Sequence, residues 1–209
     1  VPPVWRPADA ERMAHDEAGE DRTAAPASPH STVPLSQQRL AARLAGSIVH
    51  AALERWDFNN AVRLQALARR AADRILASIA GVDAADHPPA ATVQSEAASI
   101  LEAFVSSPFP ARLAAADIVG REMPILFQGD DGRVWSGTCD LVYRDDAGCL
   151  VAADYKSERP DPDAQTAARR YRHQMGIYVE ALRRGAPGER VRGEIVFVRT
   201  GEAVALDGI

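Results

Sequence analysis

A mixed α/β fold, with a central β-sheet flanked by helices and a helical N-terminal part, is what this 209-residue sequence predicts. Three observations carry that expectation. Apolar residues recur at helical spacing between about 36 and 105. A β-rich stretch broken by acidic and glycine turn signals runs from about 118 to 155. One further helical segment then precedes two more strands, so the sheet is an antiparallel three-strand meander with additions rather than a separate all-β unit.

Residues 1–34 are rich in Pro, Ala, Asp and Glu with no sustained apolar period, and read as a flexible linker or arm before a domain at 35–209. The start on Val1 rather than Met points to a longer parent polypeptide. Ser36 reads as an N-cap, with Leu40, Leu44, Ile48 and Ala52 forming an apolar stripe through about Trp56. A second helix is expected over Ala61–Ile79 and a third over Val93–Val105, the latter ended by Pro108 and Pro110. Strands are expected at Ile118–Phe127, Val134–Tyr143 and Leu150–Tyr155. A single long helix, Asp163 to Arg184, stops at Gly185, and strands Val191–Val198 and Ala203–Leu206 close the chain.

Composition narrows the function classes. Hydrophobic content of 46% and charged content of 25% are ordinary for a globular domain, and no apolar run reaches membrane-spanning length. No secretory leader is visible, and two cysteines, Cys139 and Cys149, form no disulfide framework, so a reducing cytoplasm is the expected location. The formal net charge of −5 argues against a broadly basic nucleic-acid coat, so phosphate binding would need a confined patch or a metal ion.

Lys156 is the only lysine among 24 basic residues. Arginine serves everywhere else, so a lysine kept within Asp154-Tyr155-Lys156 marks a place that needs a compact ammonium on a flexible stem. The preceding hairpin has two possible registers. A two-residue loop of Asp146-Ala147 lacks Gly where positive φ is required. A three-residue loop of Asp146-Ala147-Gly148 supplies it and is preferred. That register pairs 145 with 149 and sets Asp140 opposite Asp154, with Asp140, Asp154 and Lys156 on one face beside Val142, Leu150 and Ala152. Cys139, Leu141, Tyr143, Val151, Ala153 and Tyr155 fall on the other. Facing carboxylates about 5 Å apart destabilise a sheet unless something uses them, and a shared Mg²⁺ or Mn²⁺ would. An ordinary Asp–Lys ion pair accounts equally for the tripeptide taken alone.

Other residues join with competing readings. His50 lies on the first helix among Gly46, Ser47, Ala51 and Ala52, as a structural histidine or as a ligand reached across small residues. Glu122 is a site carboxylate or a surface partner of Arg121. Tyr171, Met175, Tyr178 and Leu182 form a seam of helical spacing that reads as core packing, while Gln174 and Tyr178, four apart, meet on one face. Arg169, Arg170, Arg172 and His173 make the densest basic cluster, a solvated face or a DNA-backbone contact.

In order and spacing, five pieces resemble the PD-(D/E)XK nuclease superfamily, and within it the RecB-like C-terminal nuclease domains of helicase–nucleases of the AddA, RecB and UvrD-related type. They are Gly46–Glu54 with His50, Arg121-Glu122-Met123-Pro124, Gly137-Thr138-Cys139-Asp140, Ala153-Asp154-Tyr155-Lys156 and Gln174-x-x-x-Tyr178. The likeness spans roughly residues 36–206. It implies a restriction-endonuclease-like core and a Mg²⁺- or Mn²⁺-dependent deoxyribonuclease acting on DNA ends or single strands in repair or recombination. It implies metal ligands at His50, Asp140, Asp154 and the Tyr155 backbone carbonyl, with Glu122 as a further participant. Lys156 would orient or activate the attacking water, with Asp140 and Asp154 sharing the catalytic role, while Gln174 and Tyr178 support the site and the DNA strand. The partners implied are DNA and an upstream helicase motor in the same polypeptide. Two cysteines exclude the four-cysteine iron–sulfur variant of the family. A non-catalytic DNA-binding module that keeps the fold is the alternative.

Overall fold

A computed structural model describes residues 34–79, 87–206 and 208–209, so the arm expected at 1–34 lies almost wholly outside the described residues. Helix α1 (Leu35–Leu53) buries Ala41, Leu44, Ala45, Ile48, Val49 and Ala52 along one stripe. It starts after Pro34, with no side-chain cap, so Ser36 lies inside the first turn rather than capping it. It also ends before Trp56, which turns away so that its indole N–H donates to the Asn60 carbonyl at 2.8 Å. Helix α2 (Ala61–Ile79) has the expected bounds, and α3 (Ala90–Val105) begins just after Pro89. A short helix not anticipated, α4 (Phe109–Ala115), follows. Pro110 sits in its first turn, where a missing N–H costs nothing.

Five strands form one sheet in the order β1 (Asp117–Gln128), β2 (Val134–Arg144), β3 (Leu150–Lys156), β4 (Val191–Phe197), β5 (Glu202–Leu206). All neighbours are antiparallel except β3 and β4, which run parallel and therefore need a crossover. That crossover is helical: α5 (Ala164–Ala168), a 3₁₀ turn at Arg169–Tyr171, and α6 (Arg172–Gly185). The single helix expected from Asp163 to Arg184 is thus broken in the middle. Asp163 caps α5 by accepting the Thr166 N–H at 2.8 Å.

The sheet is covered on both sides. One core joins α1–α4 to Leu141, Tyr143, Val151, Ala153 and Tyr155; the other joins α5 and α6 to Val142, Leu150, Ala152 and Ile195. Burial of both faces explains why β3 is an almost unbroken apolar run up to Asp154.

The β2–β3 register is the preferred one. Leu141 pairs with Ala153 and Arg144 with Leu150, and the turn closes through Gly148, whose φ of 72° only glycine adopts freely. One detail of alternation is corrected. Cys139, expected beside Leu141, packs in the opposite core with Val142, so the strand skips a face between 139 and 141. The β2–β3 pairing ends at Leu141–Ala153, one step short of the two aspartates. On the other flank β1 carries an irregularity between Ile118 and Gly120, and Glu122 holds a left-handed φ of 45°. The sheet therefore opens where the acidic residues gather.

Candidate active site

Strand β3 delivers Asp154 and Lys156 two residues apart, both turned toward α6. Asp154 is only 3% exposed. Its Oδ1 accepts from Gln174 Nε2 at 3.1 Å, and its Oδ2 lies 2.8 Å from Lys156 Nζ. The ammonium donates to Gln174 Oε1 at 3.2 Å, and Gln174 Nε2 also reaches the Tyr178 hydroxyl at 2.9 Å. Lysine only donates and a carboxylate only accepts, so one orientation of the Gln174 amide satisfies both. Burial by itself would lower the Lys156 pKa, but the adjoining Asp154 carboxylate outweighs it and holds the ammonium charged. Gln174 and Tyr178, one helical turn apart, are thus a support for the Asp–Lys pair.

Asp140 reaches the same place from the other layer. Its Oδ2 accepts the Tyr155 backbone N–H at 2.7 Å and lies 3.5 Å from His50 Nδ1 on α1. The two aspartates therefore converge across the open end of the β2–β3 ladder, Asp140 toward α1 and Asp154 toward α6. They are not neighbours on one flat face, as simple alternation predicts. They still feel each other: burial first, and then the Asp154 charge, push the Asp140 carboxyl well above the ordinary range. The Tyr155 ring packs edge-on to His50 with centroids 6.2 Å apart.

Among the described residues Glu122 makes no ion pair with Arg121, and it feels the site's charge. The Arg121 guanidinium stacks 4.4 Å over the Phe58 ring and donates to the Leu53 carbonyl at 3.4 Å. Glu122 is exposed by area, yet partial desolvation, then Glu54, then Asp154 raise its carboxyl pKa. Glu54 was given no role by the sequence, although its place one turn after His50 puts it on the same face of the chain. Tyr171, expected in the core seam with Met175, Tyr178 and Leu182 and packed there, also lies at the helix break, where Lys156 Nζ sits 4.2 Å from its ring centroid. Of the arginines, Arg170 donates to the Asp161 carbonyl at 3.3 Å and Arg172 to that of Gly208 at 3.2 Å, and Arg169 is exposed on the same turn.

Two carboxylates and an imidazole are a donor set for a hard divalent cation. Among the described residues no three His, Cys, Asp or Glu side chains yet stand close enough to clasp an ion. Asp154 Oδ2 is buried without an aligned hydrogen bond and faces the Lys156 ammonium at 2.8 Å. A divalent cation would compete with that ammonium for the oxygen, and the donor set of two carboxylates and an imidazole fits such an ion. Among the described residues no helix is long and apolar enough to cross a membrane.

No curated protein matches the chain. Residues 25–206, most of the chain, match the family described as the PD-(D/E)XK nuclease superfamily. With the mixed five-stranded sheet and helical flanks, this chain belongs to the PD-(D/E)XK nuclease superfamily.

Proposed function

We propose that this domain is a divalent-metal-dependent deoxyribonuclease that hydrolyses phosphodiester bonds at DNA ends or in single strands, working in repair or recombination as the nuclease part of a larger helicase–nuclease. The observation that carries the reading is the convergence of Asp140 and the Asp154–Gln174–Lys156 network from opposite layers of the sheet. Nothing in packing requires it. Two buried acids that raise each other's cost are retained where a cation offsets that cost.

Asp140, Asp154 and His50 are the residues that would hold Mg²⁺ or Mn²⁺, with the Tyr155 carbonyl and Glu122 as further candidates. When bound, such an ion neutralises phosphate charge and makes water a stronger nucleophile. The chain's own part is placement. Gln174 fixes the Asp154 carboxylate through Oδ1, leaving Oδ2 beside the Lys156 ammonium. Asp140 is held by the Tyr155 N–H, so its orientation is tied to the central strand. Lys156 keeps a positive charge beside the place where negative charge builds on the phosphate. Gln174 and Tyr178 support the site, and Arg169, Arg170 and Arg172 flank the turn leading to it, where backbone phosphates of the strand would pass.

The test is incubation of the protein with end-labelled single-stranded and duplex DNA and RNA, with Mn²⁺, Mg²⁺ or chelator. Metal-dependent product ladders from DNA are expected. Tight DNA binding in chelator with no cleavage under any metal would instead establish a binding module that keeps the fold.

A further inference from the structure

We propose that Tyr171 is a positioning residue for Lys156, held in place by Glu158; this rests on the nuclease reading above. The first support is the break in the helix. Residues 163–185 carry helix-compatible sequence throughout, yet the chain tightens into a 3₁₀ turn at Arg169–Tyr171, and Tyr171 leaves it with φ −98° and ψ 4°. Such an interruption gives up α-helical hydrogen bonds and commonly marks a place where a side chain is aimed. Here the aimed side chain is Tyr171, whose ring face lies 4.2 Å from Lys156 Nζ.

The second support is the anchor. The Tyr171 hydroxyl donates to Glu158 Oε1 at 2.7 Å, across the loop that follows Lys156, and Glu158 also lies 4.0 Å from Arg170. The ring is thus fixed at both ends, by the helix break and by its hydroxyl. The third support is what remains when Asp154 is engaged elsewhere. Lys156 has three partners: Asp154 Oδ2, Gln174 Oε1 and the Tyr171 ring. A cation on Asp154 competes for the first. The amide oxygen and the aromatic face then hold a four-carbon stem that otherwise has many rotamers.

The lone lysine makes the idea measurable. Reductive methylation with ¹³C-formaldehyde modifies amines, and in this chain the only side-chain amine is Lys156, resolved by NMR from the α-amino group. Metal-free labelling rates are compared for wild type, Tyr171→Leu, Tyr171→Phe and Glu158→Gln, alongside kcat and KM on single-stranded DNA. Loss of the ring in Tyr171→Leu is expected to speed Lys156 labelling about fivefold and lower kcat about tenfold, with KM changed by less than about twofold. Tyr171→Phe keeps the aromatic face and recovers most of both. Glu158→Gln, at an exposed position, weakens the anchor that Tyr171→Phe removes outright, so it falls between wild type and the phenylalanine variant and serves if the leucine variant does not fold.

Wild-type labelling and kcat in Tyr171→Leu, or a phenylalanine variant as impaired as the leucine one, overturn the proposal. If the wild-type chain cleaves nothing while the labelling shift appears, the positioning stands and the nuclease reading fails. If it cleaves with Asp154 dependence and neither readout responds to Tyr171, the reverse holds.

Discussion

Among the described residues two charged side chains are buried, Asp154 at 3% exposure and Glu194 at 2%, and they are provisioned in opposite ways. Glu194, on β4, accepts from the Tyr143 hydroxyl at 2.6 Å and from Arg112 at 2.7 Å through one oxygen, and the other faces Arg192 at 3.4 Å. Both oxygens are engaged and two guanidiniums balance the charge. Asp154 has one oxygen held by the neutral Gln174 amide and the other facing the Lys156 ammonium at 2.8 Å without an aligned hydrogen bond. Glu194 is closed in by two guanidiniums and a hydroxyl. Asp154 leans on one ammonium that is shared with Gln174 and the Tyr171 ring, and a second acid, Asp140, lies close by. Burial is the same in the two; the balance of charge around them is not.

The sharpest way to break that contrast is Asp154→Asn. Cleavage is expected to fall by about a thousandfold or more, since the neutral amide no longer helps hold a cation. The Lys156 ion pair is lost but the repulsion of Asp140 is relieved and Oδ1 can keep its Gln174 bond, so the opposing effects should leave Tm within about 5 °C of wild type. A large drop in Tm would place Asp154 with Glu194 as a structural group.

Glu194→Ala should do the opposite. Breaking a buried ion pair leaves Tyr143 and Arg112 unmatched, and the loss is about 2–3 kcal/mol once the partial exposure of Arg112 is allowed for. For a domain of this size that lowers Tm by about 5–10 °C, with cleavage per folded molecule retained. Calorimetry and a titrated nuclease assay check the two halves separately.

Manganese sharpens the comparison from the ligand side. At about a hundredfold excess over its Kd, a cation bound only by the folded chain adds about 2.7 kcal/mol, or roughly 5–10 °C. The shift should appear in wild type and in Glu194→Ala and vanish in Asp154→Asn. An equal shift in all three would move the ion elsewhere. The smallest effect is expected of Tyr143→Phe, which removes one hydrogen bond to Glu194 while Arg112 remains, at about 1 kcal/mol and a few degrees in Tm.

Sequence reasoning reached the strand that carries Asp154 and Lys156 because β3 is locally specified. A glycine at 148 selects one turn, the turn selects one register, and the apolar run marks a buried strand. The Gln174–Tyr178 pair was likewise legible from helical spacing. What escaped is non-local. The face skip around Asp140 arises where the β2–β3 ladder opens beside the left-handed Glu122, and no pattern within β2 encodes it. The break at Arg169–Tyr171 was invisible because Arg and Tyr are compatible with a continuing helix; the contacts of Tyr171 with Lys156 and Glu158 are tertiary. Helix α4 was hidden behind Pro108 and Pro110, read as breakers although proline is at home in a first turn. Glu54 needed the position of Glu122 on another element before it meant anything.

Strand β3 is the middle of five, bonded to β2 on one edge and β4 on the other, with both faces packed. Backbone amides in the doubly bonded part of such a strand, Leu150–Ala153, exchange with solvent chiefly when the entire domain opens. Asp154 and Lys156 extend just past that part, tied to β4 alone, so they inherit a fixed base while one edge of their backbone stays free of the ladder.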